Sequence, residues 1–342
     1  MVKASMIRSM LLTAFAFTIV TGACAANSAH YAVRSRIALS GAGGWDYLAF
    51  DEASRHLFVT RGDHVEVVDV DAARSIGHID STAGVHGIAL VPALKRGFAS
   101  DGKANAVTVF DTATFKTLAT VALHGQKPDA IVFDPASGHV LAFNGKSNNV
   151  SVLDPAKASE IATIDLPGRP EFAVSDQTGH VFVNLEDKGQ IARIDTRANR
   201  VDANYALPGC ESPSGLAIDT AHHRLFSVCD KQVMTVTDAQ DGHHVATVKI
   251  GDGPDAVAFD PARSLVFSSN GQSGTLTVIH QDDADHYRVI EDVPTQRSAR
   301  TLALDHAHGT VYLSSARVKD DPAGGRPIAE PDSFVVLVAT PH

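Results

Sequence analysis

Nowhere does this chain gather its cations. Lys and Arg total 29 against 39 Asp and Glu in 342 residues, the formal charge is −10, and no Lys/Arg-rich run occurs. An acidic surface repels phosphate backbones, so non-specific nucleic-acid binding is disfavoured. After the first 25 residues no apolar run is long enough to cross a bilayer as a helix, so no transmembrane segment is expected. There is no Gly-x-Ser-x-Gly elbow, no Gly-rich phosphate loop and no His-Glu-x-x-His, which removes the hydrolase and nucleotide-binding classes built on those motifs. The three cysteines include no Cys-x-x-Cys, so thiol redox chemistry is not expected. Apolar residues do not recur at spacings of three and four, which excludes helical repeats.

What is present is a globular composition, 44% hydrophobic and 20% charged with 26 Gly and 15 Pro, long enough for a large core. Length alone would suggest two domains, but closed all-β folds often run this long as one. Lys3 and Arg8 precede the short apolar run "MLLTAFAFTIVTG" and then "ACA" at 23–25. A basic start, a short apolar stretch and a small-x-small site predict a signal peptide over 1–25, cleaved after Ala25. The destination is then periplasmic or secreted. Lipidation of Cys24 is the alternative, because "TGAC" loosely resembles a lipoprotein box, with Thr21 where a Leu is usual. Cys210 and Cys229 remain, and an even pair in an exported protein predicts a disulfide.

The strongest signal is repetition. Asp51, Val91, Asp134, Asp176, Asp219, Asp260 and Asp305 each follow a short apolar run, about 40 to 45 residues apart. In the third copy "AIVFD" leads through a turn to "VLAFN", "VSVLD" and "EIATIDL": four short runs rich in Val, Ile, Phe and Thr, bounded by turn residues. The repeated Asp reads as a turn cap bonding backbone amides two residues on. Four strands per unit of this length predict an all-β, seven-bladed β-propeller. The last copy, 299–338, supplies only three strands, while "YAVRSRIALSGAGG" at 31–44 mimics the outer strand of the second copy. The N-terminal strand is therefore expected to close the last blade and remove open edges. Residues 26–342 read as one domain, a monomer. Its blades run roughly over 45–84, 85–126, 127–169, 170–211, 212–253, 254–298 and 299–342, the last completed by 31–39.

"LFVTRG" (57–62), "VLAFNG" (140–145) and "VFVN" (181–184) resemble the YVTN repeat, and nearly the whole chain after the leader resembles the YVTN/YncE-like family of exported seven-bladed propellers. The WD-repeat pattern is absent; the chain holds one Trp, Trp45. The resemblance implies the architecture but no single activity. Some relatives are associated with single-stranded DNA, which the acidic charge here opposes.

In a propeller the first strand of each blade lines the central channel. Five residues before each anchor stand Asp46, His86, Asp129, Glu171, Ser214, Asp255 and Arg300, a ring of unequal polar residues expected at the channel mouth. Second-strand exits add Arg61, His64, Asp101, Asn144, Asn184, Glu186, Asp230 and Asn270. Clustered carboxylates raise one another's pKa unless a cation intervenes, and oxygen ligands with an imidazole suit a divalent cation. Asp129, Glu171 and Asp255 are the candidate metal ligands. Polar residues also start strands and fill wet channels in any propeller, and clustered titratable groups mark sites only statistically. The leading expectation is a binding protein holding a small molecule, metal or protein partner at this mouth. The second is a metal-dependent hydrolase or lyase with His86 as general base, by analogy with lactonase-like and lyase-type propellers. The long loop 316–333 lies on the same face, as a lid or partner contact.

Overall fold

The computed structural model describes residues 1–2, 30–41, 43–322 and 327–342. Residues 3–25 of the expected leader, Cys24 among them, lie outside the described residues. Seven four-stranded antiparallel sheets follow one another around a ring. Six are built from consecutive strands: the third, for example, runs Pro128–Asp134, His139–Asn144, Asn149–Asp154 and Ser159–Asp165. The seventh is composite. Thr301–Asp305, Thr310–Ser315 and Val335–Pro341 are completed on the outside by Tyr31–Ala38, which pairs antiparallel with Val335–Pro341 from Tyr31–Pro341 to Ala38–Val335. The N-terminal strand thus closes the last blade. A lone helical turn, Pro92–Leu94, occurs among the described residues, and no described helix is long and apolar enough to cross a membrane.

Strand position within a blade explains the burial pattern. Middle strands are covered on both faces by neighbouring blades, so they read as continuous apolar runs: Val140, Leu141, Ala142 and Phe143 are all fully buried. Outer strands such as Thr117–Ala122 face the rim and bury little beyond Val121. The core is a series of wedges between adjacent blades; Leu141, Phe143, Val150 and Val152 pack against Val181, Val183, Ala192 and Ile194 of the next sheet. Each such side chain contributes about 1.5–3 kcal/mol relative to exposure.

Innermost strands converge on the axis, and two of them carry glycine where they touch the next blade. A Cβ on Gly87 would lie 2.9 Å from the Asp129 carbonyl oxygen, and one on Gly215 would lie 2.7 Å from the Ala256 Cα. Neither position has room for a side chain.

The repeated Asp does more than cap a turn. Asp134 accepts from the Ser137 backbone amide at 2.9 Å, as a turn cap should, and also from Ser175 Oγ at 2.6 Å and Thr196 Oγ1 at 2.9 Å in the next blade. Asp305 likewise takes Arg55 Nη1 at 2.9 Å, and Asp219 takes Gln281 Nε2 at 3.0 Å. These buried carboxylates fasten blade to blade.

Candidate functional site at the channel mouth

Four of the seven ring residues sit in β-bulges. The pairing of first and second strands skips between Val85 and Ile88, Pro128 and Ile131, Pro170 and Ala173, and Pro254 and Ala256. His86, Asp129, Glu171 and Asp255 occupy those gaps. A bulge frees a residue from the ladder and re-aims its side chain, so the sequence spends regularity here to turn polar groups toward the axis.

Two pairs result. His86 Nδ1 lies 2.7 Å from Asp46 Oδ2 and 3.7 Å from Asp129 Oδ1. Arg300 Nη1 donates to Asp255 Oδ2 at 2.7 Å, its Nη2 donates to the Trp45 carbonyl at 2.6 Å, and Nη2 lies 3.7 Å from Asp46 Oδ1. Gly102 makes room for the imidazole, since a Cβ there would come within 2.7 Å of the His86 ring. Asp46, His86, Asp255 and Arg300 line a cavity of about 1760 Å³ that opens on this face. Its rim is divided: Lys103, Lys127 and Lys146 come from the second and third blades, and Asp230, Asp252 and an Arg297–Asp320 ion pair at 2.6 Å from the fifth to seventh.

Below the pairs the channel is stoppered. Tyr47 and Phe172, from blades on opposite sides of the ring, meet with centroids 4.8 Å apart. Burial, with Glu171, Asp255, Asp46 and Asp129 nearby, holds the Tyr47 phenol well above its ordinary value. Burial and the surrounding carboxylates push Glu171 up to about 9, so it is neutral at pH 7. Asp255 rises to about 6, burial outweighing the opposing pull of Arg300. Burial raises Asp129 too, against the attraction of His86. For His86, burial alone would lower the pKa, but the hydrogen bond to Asp46 and the charge of Asp129 prevail and raise it.

The other expected mouth residues turn elsewhere. Ser214 Oγ donates to the Pro254 carbonyl at 3.1 Å and is absent from the cavity lining. Arg61, 1% exposed, lies with its guanidinium 3.8 Å over the Phe334 ring between the first and last blades. His64 sits on a separate shallow pocket at the edge of the first blade, held by Asp63 at 2.8 Å and Glu66 at 3.3 Å. Asn144, Asn184 and Asn270 are fully buried within their sheets. The Asn270 amide donates to Thr275 Oγ1 at 3.1 Å and Thr277 Oγ1 at 2.9 Å; that of Asn184 donates to the carbonyls of Ser214 and Gly215. Asp101, at the position equivalent to Asn144, is pushed by burial up to about 7. Nor do Asp129, Glu171 and Asp255 form the compact metal-ligand set expected of them. Among the described residues of this mouth, Asp46, His86 and Asp129 do, with ligand atoms within 4.8 Å of one another.

Cys210 and Cys229 are disulfide-bonded, with Cα atoms 5.4 Å apart, tying the approach to the fifth blade's inner strand to the end of its partner. Within the 316–333 loop, Val318–Lys319 pairs with Ile328–Ala329, and Val318, Asp320 and Ala329 reach the cavity wall.

No family model matches the chain. YncE of Salmonella typhimurium is 29% identical over 151 residues, 43% of this chain and 41% of that protein, and YncE of Salmonella typhi is 28% identical over the same length. The match thus spans less than half the length of these relatives. Among solved structures, the WD40 repeats of RRP9 superpose with a TM-score of 0.76 at 12% identity, covering 91% of this chain and 98% of that one. Hydrazine synthase of Kuenenia stuttgartiensis gives 0.71 at 14% identity, covering 79% and 92%. At such identities these likenesses show the fold alone. The ring is a seven-bladed propeller, and over 43% of its length the chain is similar in sequence to YncE.

Proposed function

We propose that the chain is an exported binding protein that takes a small polar ligand into the mouth cavity. The observation that carries this reading is inequality at equivalent positions. Seven repeats supply seven stations, yet Asp46–His86 and Asp255–Arg300 assemble as two unlike pairs beneath one cavity. Blade stability alone needs no such differentiation. The divided rim favours a ligand with both acidic and basic groups. The predicted leader and the disulfide support export.

Trp45, the one tryptophan of the chain, lines this cavity and reports on it without a label. A panel of amino acids, small peptides and hydroxy acids titrated against its emission should yield a saturable response. Removing both partners together, Asp255→Asn with Arg300→Gln, should abolish that response and leave the melting transition cooperative. A panel without effect, or a response indifferent to the double variant, overturns the reading.

A specific observation favours a second reading, hydrolysis or elimination with His86 as base. Asp46 holds His86 Nδ1 at 2.7 Å and so fixes the ring, as an orienting carboxylate does for a general base. A lactone and ester screen with His86→Ala as control tests it; activity untouched by that change excludes His86 as the base.

A further inference from the structure

Resting on the mouth reading, we infer that Asp46, His86 and Asp129 form a binding site for one first-row divalent cation of the zinc or manganese type, which a ligand then shares from the cavity side. Three observations carry it. First, the distances suit a metal. Ligand atoms about 2.0–2.2 Å from such a cation stand about 2.8–3.6 Å from each other, from octahedral to tetrahedral geometry. The separations of His86 Nδ1 from Asp46 Oδ2, 2.7 Å, and from Asp129 Oδ1, 3.7 Å, bracket that range, so shifts of a few tenths of an ångström open the seat.

Second, the charges are left over. Arg300 answers Asp255 at 2.7 Å and reaches Asp46 only at 3.7 Å, so the close partner left for Asp46 and Asp129 is a single imidazole. Asp129 accepts no side-chain hydrogen bond from any described residue, although its side chain is only 13% exposed. A carboxylate so placed is costly unless a cation or a proton joins it. A structural Asp–His link between blades would need Asp46 alone.

Third, the site is open on one side. The three residues come from three successive blades; Asp46 and His86 line the cavity of about 1760 Å³, with Asp129 behind His86 at 3.7 Å, so further coordination positions face solvent or ligand on the Asp46–His86 side. Lys127 acts electrostatically on both His86 and Asp129 and lines the same cavity, where it can meet an anionic group of a ligand sharing the metal. Mixed imidazole and carboxylate donors favour zinc or manganese over calcium, which takes oxygen ligands only.

The full purified chain, stripped with a chelator and dialysed, is titrated with Zn²⁺ and with Mn²⁺ by calorimetry, and cobalt-loaded protein is followed by its visible absorption. One saturable equivalent is expected. Asp129→Asn and His86→Gln should each weaken it at least about tenfold. Asp241→Asn, in the Asp238–Asp241–His243 turn where Asp241 and His243 are exposed, should leave it unchanged. Should Asp129→Asn melt early, Asp129→Glu keeps the charge but moves it by a methylene, and must alter the cobalt spectrum. Absence of saturable binding, or binding that follows Asp241 instead of Asp129, overturns the inference. A Trp45 response to small ligands that survives in metal-free protein, with no metal bound, leaves the mouth reading standing without the cation.

Discussion

Asp101→Asn should stabilise the protein, and only above acidic pH. Asp101 occupies the position at which the third and sixth blades carry Asn144 and Asn270. All three reach the hydroxyl seven residues on: Asn144 Nδ2 donates to Ser151 Oγ at 3.0 Å, Asn270 Nδ2 to Thr277 Oγ1 at 2.9 Å, and Asp101 Oδ2 accepts from Thr108 Oγ1 at 2.6 Å. Asp101 is 1% exposed and its Oδ1 has no partner. Burial lifts its pKa from the ordinary aspartate value of 3.8 to about 7. Between those two values the unfolded chain has released a proton that the folded chain still holds, so stability falls as pH rises through this window and the loss is complete above it. The gap corresponds to about 4 kcal/mol at pH 8 and above. An amide has no charge to desolvate and keeps the hydroxyl contact with donor and acceptor exchanged. Wild type and Asp101→Asn should therefore melt within a degree or two of each other at pH 4. At pH 8.5 the variant should melt higher by roughly 4–8 °C, taking about 2 °C per kcal/mol for a chain this long. Thermal melts by circular dichroism at the two pH values decide it. A variant less stable at pH 8.5, or one shifted equally at both pH values, would refute the reasoning.

Two further outcomes test the scaffold. The Cys210–Cys229 bond closes a loop with a sequence separation of 19, so its removal as a Cys→Ala pair should lower unfolding free energy by about 3 kcal/mol in denaturant titrations, and reductant should reproduce the loss in wild type. Asn270→Ala should cost about 1–3 kcal/mol in the same assay by leaving the Ser268, Thr275 and Thr277 hydroxyls without their buried partner, with no change in Trp45 emission.

The fold was legible because its period was. Anchors such as Asp134 and Asp260 recur in phase, so blade number, strand order and the closing role of Tyr31–Ala38 could be read in advance. The same phase marked the starts of the inner strands, where His86, Asp129, Glu171 and Asp255 fall in bulges. It misled at Asn144, Asn184 and Asn270. A repeat locates the end of a second strand but not the direction of its side chain, and these amides turn inward to buried hydroxyls and carbonyls. The stopper had a signal that went unread: the residues after the stations are Tyr47, Gly87, Ala130, Phe172, Gly215, Ala256 and Thr301, two aromatics among five small side chains. The divided rim had none, because Lys103, Lys146 and Asp252 sit on loops whose approach to one cavity depends on ring closure.

That stopper has a consequence for traffic. A ring of blades invites comparison with a pore, but Tyr47 and Phe172 meet across the axis and narrow any passage from one face to the other. A ligand bulkier than the gap beside these rings must back out through the aperture it entered, so loading and release compete for one doorway.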